Sequence, residues 1–88
     1  MNGIEIEGLL FDQSGKAEPT CLSIGRPYPS GIEGEHYCDV SWPPLLNSEK
    51  RIYGGDAEQA WSLAVEFCQA LVADHRFVDQ SGKDVTFR

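Results

Sequence analysis

The chain contains one long helical pattern, over 57–74, and this pattern follows a series of short strand-like segments. Its apolar residues recur at spacings of three and four, which gathers them on one stripe of a helix. The stripe consists of Ala57, Ala60, Ala64, Phe67, Cys68 and Leu71. Asp56 is a favourable N-cap, and Gln59 three residues later completes a capping-box pattern. We therefore expect one amphipathic helix that begins at a defined residue.

The segments before the helix alternate between apolar and polar residues, which is typical of half-buried strands. Ile4 and Ile6 point to one side, for example, whereas Glu5 and Glu7 point to the other. The predicted strands cover about 4–11, 20–25, 36–42 and 50–53. Strands in series followed by one helix favour an α+β fold, in which an antiparallel sheet of four or five strands packs against the helix.

The sequence Asp-Gln-Ser-Gly-Lys occurs twice, at 12–16 and at 79–83. Each copy follows apolar residues, and its glycine suits a turn, so we interpret both copies as hairpin turns. The second copy places a C-terminal hairpin over about 76–88. Neither copy has the preceding glycine that a phosphate-binding loop requires. We therefore predict no nucleotide or other cofactor.

The length of 88 residues predicts a single domain over 1–88. Acidic residues outnumber basic ones 14 to 7, which gives a formal net charge of −7. Such a surface repels nucleic acid and anionic membranes, so both are predicted not to be partners. The N-terminus lacks the pattern of a signal peptide, and the three cysteines are an odd number. These observations favour a cytoplasmic protein with free thiols.

Chemistry-bearing residues are few. His36 and Cys38 share a strand face, and Cys21 lies on a neighbouring strand, so these side chains could form a zinc site in some registers. However, the chain has no Cys-x-x-Cys pair, so we predict no metal site. Cys68 and His75 are seven residues apart on the helix, which is too far for a nucleophile–base pair. We predict that the protein is not an enzyme.

Two features are instead typical of protein-binding surfaces. The first is acidic. Glu5 and Glu7 lie on one face of the first predicted strand, and Glu33 and Glu35 flank Gly34 in the loop before the predicted strand 36–42. Such groups can steer a basic partner. The second is aromatic. It consists of Tyr28 and Trp42, beside the prolines Pro27, Pro29, Pro43 and Pro44. The alternative is that Trp42 belongs to the core.

The helix has more apolar surface than one small sheet requires. Trp61, Val65 and Val72 form one margin of the apolar stripe, and Leu63 and Ala70 form the other. A second copy of the chain is one possible partner for this margin. Homodimerisation through the helix, with Trp61 as a binding residue, is therefore the alternative to a protein-binding module.

Several short motifs between 25 and 72 resemble a pattern found in small bacterial domains of unknown function. They are Gly25-Arg26-Pro27-Tyr28-Pro29, Glu35-His36-Tyr37-Cys38, Gly54-Gly55-Asp56-Ala57-Glu58-Gln59-Ala60 and Leu63-Ala64. The resemblance covers just over half of the chain. It implies a bacterial source and a small α+β domain, with strands that precede one long helix. It carries no activity that could be transferred.

The leading hypothesis from the sequence is a small acidic bacterial protein without catalytic activity. It would bind another protein, in the manner of an inhibitor or an immunity protein, and this partner would be basic. A metal-dependent or thiol-dependent enzyme that uses His36, Cys38 and Cys21 is the less favoured reading.

Overall fold

The computed structural model describes residues 2–43 and 45–86. Within them the chain forms six strands and one helix. The strands are β1 (Ile4–Phe11), β2 (Ala17–Ile24), β3 (Tyr28–Pro29), β4 (His36–Ser41), β5 (Lys50–Gly54) and β6 (Arg76–Asp79). The helix α1 (Ala57–Ala73) lies between β5 and β6. The fold is α+β, as the order of the sequence patterns predicts.

All strand pairings are antiparallel. β1 pairs with β2 on one side and with β6 on the other. β4 pairs with β5 on one side, and on its other side it pairs first with β3 and then with the end of β2. The backbone N–H of Gly25 joins the two short pairings by donating to the Asp39 carbonyl at 2.8 Å. β2 and β3 therefore run along the same edge of β4, interrupted only by Gly25–Pro27.

β3 lies in a segment whose two prolines and two glycines predict a loop, and it raises the strand number above the expected four or five. It has only two residues, which is too short for an alternating pattern that would predict a strand. Its pairing comes from the neighbouring strand: Tyr28 lies opposite Tyr37, and Pro29 lies opposite His36. Tertiary contact rather than local sequence creates this strand.

The core lies between the helix and one face of the sheet. It contains Leu22, Ile24, Cys38, Val40, Trp42, Ala60, Ala64, Cys68, Phe77 and Val85. The alanines let the helix approach the strands closely. At Gly54 the approach is so close that an added Cβ would lie 2.3 Å from the backbone nitrogen of Ala60. The glycine at the end of β5 therefore sets the distance between strand and helix.

The helix begins where the capping pattern predicts. The Asp56 carboxylate accepts a hydrogen bond from the backbone N–H of Gln59 at 2.7 Å. The Gln59 side chain accepts in return from the N–H of Gly55, one residue before the N-cap. This arrangement satisfies two backbone donors at the start of the helix.

The two Asp-Gln-Ser-Gly-Lys copies adopt the same turn. In the first, the Oδ1 atom of Asp12 accepts from the N–H of Ser14 and of Lys16 at 2.8 and 3.0 Å. In the second, Asp79 accepts from the equivalent N–H groups at 2.9 and 3.1 Å. After the second turn the chain pairs back along β6, since the Val85 N–H donates to the Phe77 carbonyl at 3.0 Å. Phe87 and Arg88, the last residues of the predicted hairpin, lie outside the described residues.

Candidate functional site

The sheet has two unequal faces. The helix covers the face that carries Leu22, Ile24, Cys38 and Val40. The residues that alternate with these point to the opposite face, which we call the open face because no helix of the described chain packs on it. This face includes the side chains of Glu5 and Glu7 on β1, Cys21 on β2, Tyr28 on β3, Tyr37 and Asp39 on β4, and Arg51 and Tyr53 on β5.

Three tyrosines cross one end of the open face in a single row, which we call the tyrosine row: Tyr28, Tyr37 and Tyr53. The strand register places them directly opposite one another on β3, β4 and β5. The ring centroids are 6.2 Å apart for the first pair and 5.9 Å apart for the second. Tyr28 and Tyr53 are 45% and 49% exposed, so their rings are available for contact with another molecule.

Two arginines lie against this row. The guanidinium carbon of Arg51 is 4.0 Å from the Tyr37 ring centroid, and that of Arg26 is 5.1 Å from the Tyr28 ring centroid. Arg51 also donates to Asp39 at 3.0 Å, and this hydrogen bond raises the pKa of the guanidinium. These contacts hold the tyrosine rings in place. A partner that binds the tyrosine row would therefore restrict few additional side chains, and the entropy cost of binding would be small.

The loop over residues 30–35 stands beside the tyrosine row, because it joins β3 to β4. Backbone hydrogen bonds within the loop, from Ser30 to Glu35 and from Glu35 to Ile32, are both 3.0 Å long. Glu33 is exposed and Glu35 is half-buried. Ile32 is 66% exposed, the largest fraction for a large apolar side chain among the described residues. The loop thus adds apolar surface and two carboxylates to this end of the sheet.

A shallow groove of about 740 Å³ occupies the other end of the open face, between β2, β1 and β6. Its walls include the apolar side chains of Leu9, Pro19 and Val78. Among the described residues, its charged lining groups are the carboxylates of Glu7 and Asp79, without a lysine or an arginine. The Glu7 carboxylate also accepts a hydrogen bond from the Gln80 side chain at 3.1 Å. This chemistry suits an apolar or cationic side chain.

The structure therefore places three of the candidates, Glu5, Glu7 and Tyr28, on the open face of the sheet. Glu33 and Glu35 lie in the loop that joins Tyr28 of β3 to β4, whereas Glu7 lines the groove and Glu5 lies two residues from it on β1. The sequence alone does not identify Tyr37 and Tyr53 as site residues, because only the strand register aligns them with Tyr28. The alternation within each strand does indicate which face each tyrosine occupies.

Trp42 is fully buried, so it cannot form part of an exposed surface with Tyr28. Its ring packs against Phe77 at 5.1 Å and, edge-on, against His75 at 5.9 Å. The alternative reading, that Trp42 belongs to the core, is the one the structure shows. Trp61 is half-buried, as are Val65 and Val72, and all three pack against the chain's own core. Much of the apparent surplus of the helix is thus used within the chain.

The strand register also separates the residues considered for metal binding or nucleophilic catalysis. Cys21 points to the open face, whereas His36 and Cys38 point to the helix side of the sheet. The Nδ1 atom of His36 is instead 2.9 Å from the Gly34 carbonyl oxygen. Within residues 2–43 and 45–86, no three His, Cys, Asp or Glu side chains are grouped as metal ligands would be.

The three cysteines are free thiols, and two of them are buried. Burial raises the pKa of Cys68 to about 11. It also raises the pKa of Cys38, with Asp39 contributing, and the pKa of Cys21, with Glu5 and Glu7 contributing. A raised pKa keeps a thiol protonated near neutral pH and therefore weakly nucleophilic. These environments are those of structural cysteines.

In comparisons with known proteins, no family model matches the chain, and no curated protein or solved structure matches it significantly. Within the described residues, α1 is not long and apolar enough to cross a membrane.

Proposed function

We propose that the protein is a non-enzymatic module that binds a basic protein through the open face of its sheet. The observation that carries this proposal is the composition of that face. It presents exposed aromatic rings at one end and an apolar groove with carboxylates at the other. Aromatic side chains are enriched among residues that dominate binding energy, and the carboxylates favour a partner that supplies lysine or arginine.

The net charge of the chain supports the same partner class. A formal charge of −7 attracts a basic protein over distances of about 10 Å at moderate salt, and it repels nucleic acid and anionic lipid. Binding to this face also requires little rearrangement, since the tyrosines stand on paired strands. An inhibitor or an immunity protein would use such a surface. The free thiols are compatible with a reducing cytoplasm, which we propose as its location.

The test compares two variants that change charge equally on opposite sides of the molecule. One replaces Glu5 and Glu7 on the open face with glutamine. The control replaces Glu58 and Glu66, which are exposed on the helix, in the same way. Each immobilised protein is incubated with lysate of the source organism at low and moderate salt, and the captured proteins are quantified by mass spectrometry.

The proposal expects a basic protein that the wild type and the helix control capture equally and that the open-face variant captures much less. A second variant, in which Tyr28 and Tyr53 both become serine, should lose the same protein at both salt concentrations, because aromatic contacts are less sensitive to screening. Capture that is equal for all variants would place the binding surface elsewhere. Absence of any basic protein at both salt concentrations would contradict the proposal.

A further inference from the structure

The two edges of the sheet are treated differently. Along β6, the returning tail covers the outer edge, where Val78 pairs with Asp84 and the Val85 N–H donates to Phe77. Along β5, the described chain provides pairing on one side only, with β4. An uncovered edge strand offers a row of free N–H and C=O groups to any strand that can lie beside it.

The sequence of β5 is complementary to itself in one antiparallel register. When two copies of the strand pair about Ile52, this residue faces its own equivalent. Arg51 then lies opposite Tyr53 of the second copy, and Lys50 lies opposite Gly54 of the second copy. The two cations of the strand thus face uncharged residues, although cations on an edge strand ordinarily discourage pairing.

The tyrosine row supplies a specific contact for this register. Tyr28 and Tyr37 each have a guanidinium over the ring, from Arg26 and Arg51 respectively. Tyr53 is 49% exposed; Arg51 of the same chain approaches its hydroxyl, but the described chain places no guanidinium over its ring. In the paired strands, Arg51 of the second copy lies directly across from Tyr53, on the same face of the sheet. The free face of its guanidinium can then stack on this ring.

We propose that two copies of the chain associate through antiparallel pairing of β5, with Ile52 at the two-fold axis. The pairing joins the two sheets and places both tyrosine rows on one continuous surface. A contact along one five-residue strand is smaller than the roughly 1,200 Å² typical of stable interfaces, so the dimer is weak and forms at high protein concentration. This proposal does not depend on the basic partner, because a second copy alone satisfies it.

Disulfide trapping tests the register. Cys21 is first replaced with serine, which leaves only the two buried thiols, and one new cysteine is introduced with the substitution Ile52→Cys. The control carries Lys50→Cys instead. Residues that face each other across an antiparallel pair have Cα atoms about 5 Å apart, within reach of a disulfide. The two Lys50 positions are offset by four residues, or about 13 Å, which is too far.

With oxidised glutathione as the oxidant, the Ile52→Cys protein should form a covalent dimer and the Lys50→Cys protein should not. Sedimentation equilibrium of the unmodified chain should show a species of twice its 9.7 kDa mass as the concentration rises. Tyr53→Lys sets a lysine opposite Arg51 twice in each dimer and should weaken association about tenfold. Equal cross-linking of both cysteine variants, or a monomer up to ~1 mM protein, would overturn the proposal.

Discussion

Gly54 is the residue at which β5 and α1 come closest, and its replacement by alanine tests how tightly the helix is held against the sheet. An added Cβ would lie 2.3 Å from the backbone nitrogen and 2.7 Å from the Cα of Ala60. Both atoms belong to the helix backbone, so no side-chain rotation can relieve the contact. The helix must move away from the strand by about 1 Å to restore ordinary van der Waals distances.

This movement loosens the buried layer in which Ala60 and Ala64 contact the strands. Overpacking of a close-packed core commonly costs 1–3 kcal/mol, and the contact with backbone atoms places Gly54→Ala near the upper end. We expect a loss of about 3 kcal/mol in the free energy of unfolding. For a chain of this size, that loss lowers Tm by roughly 12–24 °C.

The neighbouring Gly55 provides a matched control. A Cβ at this position would meet only the side-chain oxygen of Gln59, at 3.1 Å, and Gln59 can move. Gly55→Ala should therefore cost at most the capping hydrogen bond between Gly55 and Gln59, or about 1 kcal/mol in the free energy of unfolding. Urea denaturation followed by circular dichroism measures both variants. If the two alanines destabilise the chain equally, the close approach of helix and strand at Gly54 is not what limits this position.

Two further outcomes follow from the titratable groups. Hydrogen bonds from the serine hydroxyl two residues on, and from the lysine N–H four residues on, lower the pKa of both Asp12 and Asp79 in the folded state. The stability that they contribute is therefore present above their unfolded pKa of about 3.9 and is lost as the pH falls through the lower folded value. Replacing both aspartates with asparagine should therefore weaken the pH dependence of the urea midpoint between about pH 2 and 5. An unchanged pH dependence would contradict this. Among the thiols, Cys21 is half-buried, whereas Cys68 is fully buried and its pKa is raised to about 11. A thiol reagent at neutral pH should therefore label Cys21 first and Cys68 only after unfolding, which peptide mapping can measure. Early labelling of Cys68 would refute its burial.

Local patterns are sufficient to predict the elements that depend on local interactions. β1 occupies residues 4–11 as its alternation predicts, and α1 ends one residue before the predicted 74. Both Asp-Gln-Ser-Gly-Lys segments form the expected turns, because one aspartate oxygen organises each turn without help from the rest of the fold. For the helix and the turns, the determining contacts lie within about five residues of one another. The alternation of β1 predicts a strand, but its pairing partners, β2 and β6, are distant in the sequence.

Elements that depend on distant contacts were not predictable in the same way. β2 begins at Ala17, three residues before the predicted start at about 20, and so it includes Pro19. The proline is tolerated because β4 reaches only the far end of β2, at Ser23 and Ile24, so one side of β2 is an unpaired edge at Pro19. The tyrosine row depends on register for the same reason. Its members lie on three strands, and no single segment contains the pattern.

Charge alone does not select the binding surface, because the helix also exposes acidic residues, Glu58 and Glu66 among them. The open face differs in what accompanies the carboxylates. On the helix, each glutamate is a long side chain on a solvated surface. Fixing it in a complex costs conformational entropy, and the free energy of a screened ion pair is no larger than this cost. On the sheet, exposed rings and a shallow apolar groove bury area against a partner, while the nearby carboxylates direct its approach. For the proposed basic partner, the attraction that both faces share would set the rate of encounter, and the contacts that only the open face provides would determine the lifetime of the complex.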